Sequence, residues 1–181
     1  GLCGVGQRYV IDVSAQSLTI SGTGELCASA PWKSHSDIIN KVIIEPGITG
    51  IGGEGIFAGM GFSEISLPDT LTKIGYQAFE GCGFQYIDIP DSVTELGDRA
   101  FSDCSKLENM ELPEGITEIP DYAFLGCSSL VSIKLPSNIK RIGKWAFRTC
   151  SALKNINLTE GLEGLAGSVT LAVSVFFAAL S

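Results

Sequence analysis

Histidine occurs once in this chain, at His35. A zinc centre draws several His or Cys ligands into a tetrahedron, usually from closely spaced pairs, so a histidine-based metal site is excluded. A Cys–His catalytic pair would need an exposed, activated thiolate, and no Ser-Gly elbow lies near His35. Basic residues are scarce too: 12 Lys and Arg stand against 20 Asp and Glu, a formal charge of −8. Nucleic acid requires a basic footprint and an anionic membrane a polybasic segment, so neither is expected as a partner. No run of 18 or more uncharged apolar residues is present to form a helical span; the C-terminal SVTLAVSVFFAALS comes nearest. No charged segment leads into an apolar one at the start, where the chain opens on Gly1, as in a mature or trimmed fragment.

What the chain has is repetition. Cys104, Cys127 and Cys150 are separated by 23 residues each. The same shift carries Leu112-Pro113 onto Leu135-Pro136, Ile116 onto Ile139, Ile119 onto Ile142 and Ala123-Phe124 onto Ala146-Phe147. Backwards, with one residue missing, it meets Ile89-Pro90, Val93, Leu96 and Ala100-Phe101, and one turn earlier Leu67-Pro68, Leu71, Ile74 and Ala78-Phe79. Self-similarity at this period marks a solenoid. Its 181 residues suit one domain or one run of stacked repeats, and the 45% apolar content fills one continuous core. Residues 1–36 lie outside the repeat. Tyr9–Val13 and Ser17–Ser21 read as a β-hairpin, either a cap on the open end of the core or a separate module. The array runs over 37–165, with a degenerate first turn. Residues 166–181 form an apolar cap or a truncated anchor, the only route by which a membrane would be involved.

Within a turn, Met110 and Leu112 point inward and Asn109 and Glu111 outward from a short strand ended by Pro113. Around Ile119 to Phe124 short strands or one tight helical turn are expected. Stacked turns then pair these strands in parallel, about 4.8 Å apart. Phe79, Phe101, Phe124 and Phe147 form an internal spine, not an aromatic binding groove. Cys82, Cys104, Cys127 and Cys150 form a second internal column. An in-line column cannot surround a metal ion, and parallel side-chain directions disfavour disulfides; buried free cysteine is a common small core residue. Cys3 and Cys27 lie outside that column, free or bridged, and a bridge would suit an extracytoplasmic protein.

Repeats of the form LPxxIxxIGxxAFxxCxxLxxIxL resemble the BspA-like leucine-rich repeat proteins, a family of bacterial and protist surface proteins. The stretch SLTISGTGELCASAPWKSHSDIINKVIIEPGITGIG, with its Pro31-Trp32 pair, is similar to that family's N-terminal cap. The resemblance implies a right-handed leucine-rich repeat β-solenoid, an extracellular or cell-surface location, and adhesion to matrix proteins such as fibronectin or fibrinogen. The matching positions are core positions and carry no binding chemistry of their own.

The outward residues of the strands give the candidate site. One column holds Glu64, Tyr86, Asn109, Ser132 and Asn155, and its neighbour holds Ser66, Asp88, Glu111, Lys134 and Asn157. No core role restricts these positions, and solenoids bind through extended surfaces. Tyr86 is the expected anchor, because tyrosine gives large contact area at low entropy cost. Asp88 and Glu111 would favour a basic patch on a protein partner. The bland reading is that this face is merely solvated, as the pairing of Asp88 with Glu111 is more simply a wet acidic surface than a glycosidase-like pair. Tyr122 and Trp145 are exposed aromatics on another side. Asn157-Leu158-Thr159 is a glycosylation sequon on the strand face. No catalytic, cofactor, metal or small-molecule site is expected. The chain reads as a binding module or, alternatively, as a spacer that projects another domain.

Overall fold

The computed structural model describes residues 2–4, 6–26, 30–158 and 162–165. They form a β-solenoid of about five turns with almost no helix. The pairing of Cys3 with Cys27, the completed sequon and the 166–181 segment lie outside the described residues.

Each turn has three sides. The first carries Lys41–Ile44, Glu64–Ser66, Asn109–Glu111, Ser132–Lys134 and Asn155–Ile156. The second carries Gly24–Leu26, Ile48–Ile51, Lys73–Ile74, Glu95–Leu96, Glu118–Ile119, Arg141–Ile142 and Gly164–Leu165. All pairings between consecutive turns are parallel. A proline closes the strand side, and its carbonyl receives the N–H three residues on in a tight turn: Pro68 from Leu71, Pro90 from Val93, Pro113 from Ile116 and Pro136 from Ile139. Proline at this point cannot continue the ladder, so it marks where the chain leaves the sheet.

The third side is built from backbone turns. Phe57, Phe79, Phe101 and Phe124 each donate an N–H to the carbonyl of the alanine one turn on, at 2.9–3.0 Å. Their rings stack inside. Trp32, Phe57, Phe79, Phe101, Phe124 and Phe147 follow one another at centroid separations of 5.7, 5.6, 5.5, 5.5 and 5.4 Å. The spine expected from four phenylalanines is therefore six rings long, and Trp32 begins it.

At the N-terminal end Gln7–Asp12 pairs antiparallel with Ser17–Ser21, which pairs in parallel with Lys41–Ile44. The first strand of this hairpin starts two residues earlier than Tyr9 and stops before Val13. Asp12 explains the stop. Its carboxylate accepts from the Ser14 hydroxyl at 2.6 Å and the Ala15 N–H at 3.0 Å, bending the chain into an Asx-type turn. Tyr9 reaches across to pack edge-on against Trp32 at 5.7 Å. Gln7, 4% exposed, is satisfied by the Thr23 and Glu25 carbonyls at 3.2 and 2.9 Å.

Both ladders break at the same height. The first side divides between Ser66 and Asn109, and the second between Leu96 and Glu118. Residues 85–90, expected as a strand, lie outside every ladder, although Ile87 and Ile89 stay buried and Tyr86 and Asp88 point outward. Corner length also changes near this point. Met60–Phe62 and Cys82–Phe84 have one intervening residue where Cys104–Leu107 has two. A larger Phe replaces Leu in the shortened corners: Phe62 meets Phe57 edge-on at 6.0 Å, and Phe84 meets Phe79 at 5.9 Å. Phase is nevertheless kept across the break, since the Glu108 N–H bonds the Gln85 carbonyl at 3.0 Å, and on the second side Pro120, which has no N–H, stands where Gly97 and Gly143 donate to the preceding turn.

Candidate functional site

The strand face brings the two outward columns together as the alternation requires. Asn109, Ser132 and Asn155 are direct cross-strand partners, as are Glu111 and Lys134. Lys41 binds Glu64 at 3.0 Å, Ser132 donates to the Asn109 side chain at 2.8 Å, and Lys134 pairs with Glu111. These are exposed contacts between neighbours, screened by solvent and of little weight for stability. Asn157 is differently employed. Its amide accepts from the Leu135 N–H at 2.7 Å and donates to the Leu135 carbonyl at 3.0 Å, standing in for the next strand residue.

The break in the ladder interrupts this face. Tyr86, Asp88, Asp91, Glu111, Glu114 and Lys134 surround a cleft of about 200 Å³, also lined by Ile89, Leu112 and Pro113. Four carboxylates therefore face one ammonium. Tyr86 stands at its edge, 64% exposed. Glu114 is fixed by the Ser137 hydroxyl at 2.7 Å and the Ser137 N–H at 2.9 Å. Those two donors hold its carboxyl below the ordinary 4.5. The adjacent Glu111 carboxylate raises the Lys134 ammonium above its ordinary value. The cleft was not foreseen as a cavity.

The thiol column is internal. Cys82, Cys104, Cys127 and Cys150 are buried and free. Burial pushes the Cys82 thiol well above its ordinary value and the Cys104 thiol up to about 12. A hydrogen bond with Cys150, then burial, raises Cys127. Thiols so protonated are donors, not nucleophiles. All four cysteines donate a hydrogen bond to a phenylalanine carbonyl of the preceding turn: Cys82 to Phe57 at 3.1 Å, Cys104 to Phe79 at 3.0 Å, Cys127 to Phe101 at 3.1 Å and Cys150 to Phe124 at 3.0 Å. This donor role was not read from the sequence. Among the described residues, no three His, Cys, Asp or Glu side chains converge as metal ligands, and no helix is long and apolar enough to cross a membrane.

Tyr122 and Trp145, expected to be exposed, are half-buried. They meet edge-on at 5.5 Å, and Arg99, Lys144 and Arg148 lie over their rings. Neighbouring cations, not solvent, cover the aromatic faces.

Among solved structures, a leucine-rich repeat protein from Bacteroides ovatus superposes with a TM-score of 0.66 at 22% identity, over 94% of this chain and 56% of the other. The Treponema pallidum leucine-rich repeat protein superposes with a TM-score of 0.72 at 22% identity, over 91% of this chain and 84% of the other. The chain thus spans little more than half the length of the Bacteroides protein. These likenesses show the fold. No curated protein matches the chain in sequence. The pattern of the BspA-type leucine-rich repeat region matches residues 35–169 in six copies. With three-quarters of its length accounted for by that repeat, the chain belongs to the BspA-type leucine-rich repeat family.

Proposed function

We propose that this solenoid is a non-catalytic, surface-displayed or secreted adhesion module whose protein partner docks on the strand face, centred on the cleft at the ladder break. Leucine-rich repeat solenoids are interaction scaffolds, and the family resemblance supports an extracellular setting. The observation that carries the reading is the cleft itself, where Tyr86 stands free beside Asp88, Asp91, Glu111 and Glu114. A buried aromatic anchor beside a desolvated charge is the usual energetic centre of an interface. The partner presents a Lys or Arg to the carboxylates and an apolar contact to Tyr86. Residues 1–36 act as the cap of the array in this reading.

Surface binding to immobilised fibronectin and fibrinogen tests it. The double variant Tyr86→Ala, Glu111→Lys should keep the wild-type melting temperature and lose the interaction, and wild-type binding should weaken as salt screens the carboxylates. Retention of binding by that variant would refute the assigned face. Absence of wild-type binding to either matrix protein would favour the spacer role.

A further inference from the structure

The positive charge of this acidic chain is gathered in one place. No Asp or Glu occurs between Asp121 and Glu160, and that interval holds six of the 12 basic residues. Two of them are committed: Lys134 to Glu111, and Arg141 to Glu118 at 2.8 Å and Asp121 at 3.9 Å. Lys144 and Arg148 make no ion pair among the described residues, and neither does Arg99 two turns back.

These three cations are held by rings. The Arg99 guanidinium lies 4.5 Å from the Tyr122 ring centre, and Lys144 and Arg148 lie 4.5 and 4.6 Å from that of Trp145. Cation–π contact fixes the charged groups without neutralising them, and a stacked guanidinium keeps its N–H fork free for an oxyanion. The rings project from a left-handed backbone, with φ of 60° at Tyr122 and 56° at Trp145. Gly55, Gln77 and Arg99 hold the same register in the earlier turns, with φ of 56°, 53° and 58°. The conformation belongs to the repeat, and Tyr122 and Trp145 differ from the earlier turns only in the side chain they present.

We propose that Arg99, Tyr122, Lys144, Trp145 and Arg148 form a binding site for a sulfated or carboxylated polysaccharide. The site presents two cationic points, Arg99 and the Lys144–Arg148 pair, whose backbones are two turns apart, about 10 Å along the solenoid axis at the usual strand spacing. That suits a polymer with anionic groups repeated along it. A protein partner would seek an aromatic or aliphatic anchor in a pocket, but here cations occupy the ring faces. Nucleic acid would stack its bases on open rings and place dense charge beside a chain of net charge −8. Asp121 lies beside the site, but it accepts the Lys144 N–H at 2.8 Å as well as facing Arg141. This surface is separate from the strand-face cleft and stands or falls independently of it.

The full chain titrated with a heparin-derived dodecasaccharide provides the test. Binding should change Trp145 fluorescence and weaken as salt rises. Lys144→Gln with Arg148→Gln should lower affinity at least tenfold and reduce the slope of log Kd on log salt by about 2. Arg99→Gln alone should lower both by less, and Tyr86→Ala with Glu111→Lys should change neither. Thermal melting confirms that each variant is folded. No binding of the dodecasaccharide at about 50 mM salt, or equal binding by the folded Lys144→Gln, Arg148→Gln protein, overturns the proposal. Equal or tighter binding of poly-glutamate, or of single-stranded DNA, does so too and identifies the other class of polyanion.

Discussion

Replacement of Cys104 separates two roles a buried thiol could have. Its side chain is fully buried, and Sγ donates to the Phe79 carbonyl at 3.0 Å. That oxygen also receives the Cys82 N–H at 3.1 Å. Cys104→Ala removes a net hydrogen bond of about 1 kcal/mol. A sulfur-sized void of about 25 Å³ adds about 0.6 kcal/mol at 24 cal/mol per Å³. The total is about 1.5–2 kcal/mol. Cys104→Ser leaves nearly the same void but keeps a donor aimed at the same oxygen, so it should cost only about 1 kcal/mol. In a pocket with no acceptor the order reverses, because burying an unpaired hydroxyl costs about 1–3 kcal/mol. The sign of the serine–alanine difference therefore decides whether the thiol bonds or merely fills. Thermal unfolding resolves it: at 2–4 °C per kcal/mol for a chain of this size, alanine should lower Tm by roughly 3–8 °C and serine by roughly 2–4 °C. A serine variant less stable than the alanine variant would refute the hydrogen-bonded column.

Phe124→Ala should be more damaging. The ring is fully buried between Phe101 and Phe147 at 5.5 and 5.4 Å, so a loss of about 3–5 kcal/mol is expected, and an unchanged melting temperature would place the ring outside the core. Tyr86→Ala, at a position 64% exposed, should stay within about 0.5 kcal/mol by the same measurement. The buried thiols should resist alkylation in the native protein and react fully in denaturant; fast native labelling would contradict their burial. Alkaline pH should destabilise the fold. With the Cys104 pKa raised from 9.0 to about 12, the unfolded chain releases its proton first. The stability is then complete below pH 9 and lost as pH rises toward 12, and Cys104→Ala should flatten that decline in a pH series of denaturation curves. Glu114 has the opposite sign. Its carboxyl should titrate below 4.5, and Ser137→Ala should move the midpoint, read by NMR, back toward that value.

Much of this architecture is legible because one side-chain pattern is repeated until only one solution remains. A fixed Phe after a fixed Ala, a Pro after each strand and an apolar residue at every inward strand position specify three sides and a spine. Tyr86, Asp88, Glu111 and Lys134 could be placed on one face from alternation alone. Three features were not legible, each for a physical reason. The thiol donors depend on a phenylalanine carbonyl one turn away, and backbone acceptors leave no mark in a sequence. The half-burial of Tyr122 and Trp145 depends on cations that reach the rings from Arg99 one turn away and from Arg148 along the same turn. The spine's first two rings, Trp32 and Phe57, sit in stretches where the repeat is degenerate or replaced.

The cleft lies beside the point where the corners change length. Corners that pass from Met60 to Phe62 and from Cys82 to Phe84 are one residue shorter than the later ones. The core tolerates the difference because Phe62 and Phe84 fill what Leu107, Leu130 and Leu153 fill beyond. The strand positions keep their phase as well: Ile87 and Ile89 stay buried in line with Met110 and Leu112, and the Glu108 N–H still meets the Gln85 carbonyl at 3.0 Å. The spine passes through the junction undisturbed, with Phe79 and Phe101 at 5.5 Å and Phe101 and Phe124 at 5.5 Å, while both sheets part. A uniform array would present a flat, paired face. A break in pairing with no break in packing instead leaves the carboxylates around Tyr86 lining a cleft, on a turn whose core packing is continuous.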